Sequence, residues 1–248
     1  MNLLFNETLY AKRRERARKK SSYFSHPFLN FAAESLCDRI QAFSREFSKI
    51  ALIDEPTGLV EKHIRALNKS ADIDIFPLPL PFTEDIFSFG TLYQLIILGP
   101  FLHSCNDVRG FIENCAKHLE KDGIIIGCFW GDESLSTVRK ILVEAEMERG
   151  TTPRVHPMIE VKTLGQICHT AGLLRVVTDT ERVFGEYDDV ISLLNDLHIL
   201  AESSVLLARH PGLVTPSWLY RLEQIFCERY PAGAIKIPFD LVSFFGSK

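Results

Sequence analysis

Residues 92–100 read Leu-Tyr-Gln-Leu-Ile-Ile-Leu-Gly-Pro, a nearly unbroken apolar run closed by a Gly-Pro pair. A run of this length, ended by a turn signal, predicts a strand over Leu92–Leu98 that is buried on both faces. Ile50–Ile53 (IALI) and Ile124–Trp130 (IIIGCFW) have the same character, and Asp72–Phe76 and Leu173–Thr178 read as further short strands. Strands hidden on both faces need helices above and below, and the spaces between these runs carry them. Apolar residues fall at helical spacing over Phe28–Phe47, Leu59–Asn68, Asp107–Glu120, Asp132–Glu148 and residues 160–171, the last ended by Gly172. The turn Lys121-Asp122-Gly123 is expected to close the Asp107–Glu120 helix, and Asp132 or Ser134 to cap the next one. Residues 188–203 and 216–229 also read as helices, and Ile235–Phe245 as a closing strand or hairpin.

Strands alternating with helices of ten to fifteen residues signal an α/β fold with a doubly wound, mostly parallel, Rossmann-like sheet. At 248 residues the chain suits one such domain, with a helical insertion near residues 188–232 before the last strand and an N-terminal arm over residues 1–27. With 46% hydrophobic and 24% charged residues, global disorder and a disulfide mini-scaffold are excluded. The net charge of -4 is unevenly spread: residues 1–20 carry seven basic side chains against Glu7 and Glu15, a net of +5, so the other 228 residues carry -9. An acidic body argues against nucleic acid as a partner. The basic arm, residues 12–20, is expected to dock an acidic partner or a membrane surface, or else to form a solvated helical face.

The six cysteines form no Cys-x-x-Cys pair and read as reduced core thiols. His103-x-Cys105 and Cys115-x-x-His118 lack the tight paired spacing of a zinc knuckle, so no metal is expected. No apolar stretch approaches the ~18 residues of a membrane span, and Met1–Tyr10 lacks a secretory pattern. A cytoplasmic location is the default expectation.

In a doubly wound sheet, ligands bind beyond the carboxyl ends of the strands. The turn after the first strand, Leu52-Ile53-Asp54-Glu55-Pro56-Thr57-Gly58-Leu59, offers one glycine, Gly58, to a ligand-binding loop. Pro56 removes an N–H donor, and Asp54 and Glu55 put negative charge where a phosphate would sit, which disfavours NAD and ATP. Asp72 and Asp74 lie near the end of the second strand, where a carboxylate can bond ribose hydroxyls.

Several segments, in order, resemble the family of mitochondrial complex I assembly factor 5 and its alphaproteobacterial relatives, within the class I S-adenosylmethionine-dependent methyltransferases. Leu4-Phe5-Asn6-Glu7-Thr8-Leu9 with Arg13-Arg14-Glu15-Arg16-Ala17 is similar to its Phe-Asp-Arg start and basic arm. Leu102-His103-Ser104-Cys105-Asn106-Asp107 resembles its Leu-His-Trp-x-Asn-Asp signature, and Leu119–Gly123 its Leu-Lys-Pro-Asp-Gly turn. Gly131–Leu135, Ala145–Arg149, and Leu164-Gly165 through Ala171-Gly172-Leu173 to Asp179-Thr180 are similar to three later segments. The resemblance implies the class I methyltransferase fold, S-adenosylmethionine as cofactor and a protein partner, a respiratory complex I subunit. The family's linked chemistry is hydroxylation of an arginine on such a subunit. By the same resemblance Asp54, Gly58, Asp74 and Gly99 would contact cofactor, and His103, as general base, and Asp132 would stand at the substrate rim. The location implied is the bacterial cytoplasm, peripheral to the inner membrane, with the mitochondrial matrix as the alternative.

The departures from the family gather on the cofactor site. Its motif of an acid followed by Gly-x-Gly-x-Gly falls on Leu52, Asp54, Pro56 and Gly58, so the acid and two glycines are replaced. Gln94 stands where the fourth strand usually carries an acid, and the stretch between the second strand and Leu95 is short by about one helix. An impaired or remodelled cofactor site is therefore expected, with a non-catalytic assembly factor as the alternative to an enzyme.

Overall fold

Six strands form one sheet in the order β2-β1-β3-β4-β6-β5, as described by a computed structural model for residues 3–77, 87, 90–146, 154–209, 215–230 and 234–248. The strands are β1 Lys49–Ile53, β2 Asp72–Phe76, β3 Tyr93–Leu98, β4 Leu119–Trp130, β5 Leu174–Tyr187 and β6 Ile235–Ser247. The helices are α1 Glu7–Ala17, α2 Ser21–Phe24, α3 Pro27–Gln41, α4 Leu59–Leu67, α5 Val108–Lys117, α6 Ser136–Glu146, α7 Val161–Thr170, α8 Val190–Ile199 and α9 Pro216–Arg229. β1 pairs parallel with β2 and β3, β3 pairs parallel with β4, and β6 runs antiparallel between β4 and β5. This is the expected doubly wound, mostly parallel sheet.

Side-chain alternation along the central strands sorts the core into two layers. Ile50, Leu52, Leu95, Ile97, Ile124, Ile126 and Cys128 face the layer packed by α3, α4, α6 and α9. Ala51, Ile53, Ile96, Leu98, Ile125 and Phe129 face the other, packed by α5 and α7. Every one of these strand residues is buried, which is why the runs look uniformly apolar rather than alternating.

Three local outcomes differ from the sequence reading. α5 ends at Lys117, and Lys121-Asp122-Gly123 lies inside β4, with Asp122 taking a positive φ of 59°. β5 runs nine residues past Thr178, because it pairs with β6 along its whole length while its other edge and much of both faces stay open to solvent. α6 starts at Ser136, after a turn over residues 132–135 in which the Ser134 hydroxyl accepts from the Asp240 N–H at 2.9 Å. The shortened stretch before Leu95, the proline-rich loop beyond Pro77, and the family-like Met147-Glu148-Arg149 lie outside the described residues.

The N-terminal segment packs on the body. Asn106 holds it: its Oδ1 accepts the N–H groups of Leu4 and Phe5 at 2.8 and 2.9 Å, and its Nδ2 donates to Glu7 Oε1 at 2.8 Å. The next residue, Asp107, N-caps α5 through the Gly110 N–H at 2.9 Å. Two residues of the Leu-His-Ser-Cys-Asn-Asp stretch thus have structural tasks, and His103 is left for the site.

Candidate functional site

The strand order turns about β1 and β3, with β2 on one side and β4 on the other, so the crevice lies beyond Ile53 and Leu98. Asp54 and Gly99 occupy its floor. The Gly99 N–H donates to Ile53 O at 2.8 Å, and a Cβ on Gly99 would lie 2.0 Å from Asp54 O. Glycine at 99 is therefore required by the neighbouring backbone itself. Asp54 takes a positive φ of 51° and turns its carboxylate into the protein.

Two arginines of the N-terminal segment meet that carboxylate. Arg14 Nη2 donates to Asp54 Oδ2 at 2.5 Å, and Arg18 Nη2 donates to Oδ1. Burial raises the Asp54 carboxyl, and the two guanidiniums pull it back. For Arg14, burial is the largest influence and opposes the charge, but Asp54 together with Tyr10, Tyr23 and Glu202 outweighs it and holds the guanidinium well above its ordinary range. Tyr10 and Tyr23 pack against the same guanidinium, with their rings 5.5 and 5.8 Å from its carbon.

The loop after Asp54 is closed in the same way. Glu55 Oε1 accepts the Thr57 N–H at 2.8 Å and Oε2 accepts the Gly58 N–H at 3.0 Å. Gly58, with a φ of 73°, is the N-cap of α4 and has open space where a Cβ would stand. The N–H groups that a glycine-rich loop would turn toward a ligand's carboxylate or phosphate here bind the chain's own carboxylate.

Asp74 sits midway along β2, opposite Ala51, rather than at the strand's carboxyl end. It accepts from Tyr93 Oη at 2.8 Å and pairs with Lys49 at 2.7 Å, two residues that begin their strands. Lys49 first, and then Tyr93, hold its carboxyl below the usual range against an upward push from burial. Its partners thus lie toward the amino ends of β1 and β3. Gln94 binds the Ser48 N–H at 2.8 Å.

His103, in a short 3-10 turn over Leu102–Ser104, is buried. Its Nε2 lies 2.8 Å from Glu202 Oε2, and its Nδ1 is buried without a partner among the described residues. Burial raises Glu202, yet His103 and Arg14 bring it below the ordinary glutamate range. Arg14 Nη1 stands 3.6 Å from Glu202 Oε1, so Glu202 links His103 to the Arg14–Asp54 pair. His156 completes the group: it accepts the Val205 N–H through Nε2 at 2.8 Å, and its Nδ1 lies 3.3 Å from Ser104 Oγ. Burial, followed by His103, pushes it down to about 4, so it is neutral. Asp132 stands half-buried in the turn after β4.

Donor atoms of His103, His156 and Glu202 lie within 4.8 Å of one another, a donor set that can hold a divalent cation. Both nitrogens of His156 already have partners, and Arg14 adds positive charge beside Glu202. These three residues therefore fit a hydrogen-bonded network better than a metal centre. Chemically, a carboxylate on one imidazole nitrogen with the other nitrogen free is the arrangement of a positioned general base. Sequence reading found His103 but not Arg14, Glu202 or His156, which no local motif marks.

The backbone resembles that of a methyltransferase-named protein from Bacillus halodurans, with a TM-score of 0.50 at 10% identity over 86% of this chain and 97% of that one. A methyltransferase-named protein of Rickettsia prowazekii, RP459, is 32% identical over 120 residues, or 48% of this chain and 53% of that protein. Mouse mitochondrial arginine-hydroxylase NDUFAF5 is 24% identical over 266 aligned positions, covering 99% of this chain and 77% of its own length. The chain has the class I methyltransferase fold and resembles NDUFAF5. The match spans about half of the Rickettsia relative's length. No protein-family model matches the chain. Among the described residues, no helix is long and apolar enough to cross a membrane.

Proposed function

We propose that this chain is a methyltransferase-like protein with a remodelled S-adenosylmethionine site, which assists or acts on a protein partner. One observation carries the reading: the Asp54 carboxylate, at the carboxyl end of β1, is sealed inside an ion pair with Arg14 and Arg18. In this fold that position borders the cofactor, and here the chain's own charges neutralise one another there. Glu55 adds to the argument by occupying the loop N–H groups. For cofactor to use these donors, contacts already made within the chain would have to break. The unoccupied duty of the fold is then binding. By the resemblance to the complex I assembly family, the partner is a respiratory complex I subunit, met in the bacterial cytoplasm at the inner membrane or in the mitochondrial matrix.

A second reading, a working S-adenosylmethionine-dependent transferase or arginine hydroxylase, is favoured by the His103–Glu202 pair with its free Nδ1. S-adenosylmethionine would supply an electrophilic methyl group to such a site, and His103 would take a proton from the substrate. Calorimetric titration of the purified chain with S-adenosylmethionine and S-adenosylhomocysteine separates the two. Absence of heat at millimolar ligand, with an unmoved melting temperature, is the expected result. Saturable binding that is lost in Gly58→Asp would overturn it in favour of the enzyme.

A further inference from the structure

A cavity of about 490 Å³ opens between α6, α8 and α9, with Glu202 in its wall. Its wall is polarised. Arg13, Arg154 and Arg209 line it against one carboxylate, Glu202, which His103 and Arg14 already engage. A second concavity shares Arg13 and His198 with it and adds Arg16 and Lys20. The basic residues of the N-terminal segment, read from the sequence as an outward docking arm, thus partly face a hollow of an otherwise acidic body.

Arg154 is paired with Glu146, whereas Arg13 and Arg209 donate to backbone carbonyls and have no carboxylate partner among the described residues. Burial lowers the Arg13 pKa, and the nearby charges of Arg209 and Arg16 lower it further. Two hydrogen-bond donors in the wall also lack an acceptor among the described residues: the buried Trp218 Nε1–H and the Ser204 hydroxyl. Buried donors without acceptors are costly, and a wall rich in donors and poor in acceptors calls for a ligand bearing acceptor oxygens. Asn195, Ser203, His156 and His198 also line the cavity, and its apolar part includes Leu135, Val138, Leu142 and Leu197. The volume falls in the range of roughly 300–1,000 Å³ typical of small-molecule sites.

We infer that this cavity binds an amphipathic organic anion, its carboxylate or phosphate group among Arg13, Arg209 and the Trp218 N–H and its apolar body against α6 and α8. The inference holds whether or not S-adenosylmethionine binds. It also sets this cavity apart from one that takes an arginine side chain, because a further guanidinium would meet the like charges of Arg13 and Arg209.

The test is calorimetry of the full chain, without cofactor, against octanoate, octyl phosphate and octylamine below their micellar concentrations and at fixed ionic strength. Saturable binding of at least one anion, and none of octylamine, is expected; the tighter anion identifies the head group. Trp218→Phe keeps an aromatic ring but removes the N–H donor together with the pyrrole part of the indole, and it should weaken that anion about five- to tenfold. Arg209→Gln should weaken it by about tenfold. The inference is overturned if octylamine binds as tightly as the anions, if neither anion gives saturable heat, or if both variants bind as the native chain does.

Discussion

Arg14 and Asp54 meet at 2.5 Å with side-chain exposures of 1% and 0%, joining the first helix to the end of the first strand. Two charges sealed from water stabilise a fold only as a pair, since removing one strands the other in a medium that solvates it poorly. Arg14→Ala should therefore lower unfolding free energy by about 3 kcal/mol or more, although Arg18 remains on Asp54. Arg14→Met with Asp54→Leu should recover most of that loss. Urea unfolding of the single and double variants measures the coupling, and additive losses would mean that the pair contributes little.

The buried His156 makes acid stability a second test. Its folded pKa of about 4 lies below the reference 6.5, so the unfolded chain binds the extra proton between those values. Stability from this group is fully present above pH 6.5 and is lost as pH falls toward 4, by about 3 kcal/mol in all. His103 and Arg13 strengthen the effect and Glu202 opposes it. His156→Gln, whose amide oxygen can still accept the Val205 N–H, should flatten the dependence across that window. Glu202 acts in the same direction but lower, because its carboxylate is held below 4.5 and its contribution disappears only beneath that value.

How much of this was legible beforehand follows from the range of each signal. Ile50–Ile53, Leu95–Leu98 and Ile124–Trp130 betray themselves locally, since strands covered on both faces must be apolar throughout. The second half of β5, Glu181–Tyr187, gives no such sign: most of it is exposed, and it is a strand because β6 pairs with it. Arg14 looked like one more charge in a basic run. Its burial depends on Asp54, 40 positions away, and on Glu202 on the far side of the sheet sequence, so no window around it could show the difference. His103 and Glu202 likewise become a pair only through the fold.

The two glycines of the crevice predict different outcomes. Gly58 needs only a positive φ, and a Cβ there meets open space, so Gly58→Ala should cost about 1 kcal/mol. Gly99 is in ordinary backbone territory, but its Cβ would collide with Asp54 O. Gly99→Ala should cost about 4 kcal/mol or prevent folding, as an unrelieved backbone clash does. Thermal unfolding compares them directly. Equal losses would contradict the close approach of β1 and β3 beyond their carboxyl ends.

Asn106 offers a way to separate the docking of the N-terminal segment from the stability of the sheet. Its amide bonds Leu4, Phe5 and Glu7, all at 3.0 Å or less, and its own N–H donates to Glu7 at 2.9 Å. In Asn106→Ala the amide's bonds go at once while the α5 cap at Asp107 is untouched. The segment carries Lys12, Arg13, Arg14, Arg16 and Arg18, so trypsin reports its release directly. Cleavage within residues 12–20 should become faster in Asn106→Ala. Asp107→Ala, which removes only a helix cap worth about 1 kcal/mol, should leave that cleavage rate unchanged. If both variants are cut alike, the segment is held by the Arg14–Asp54 pair and by Arg13, which donates to Ser204 O at 2.8 Å, rather than by the Asn106 clasp.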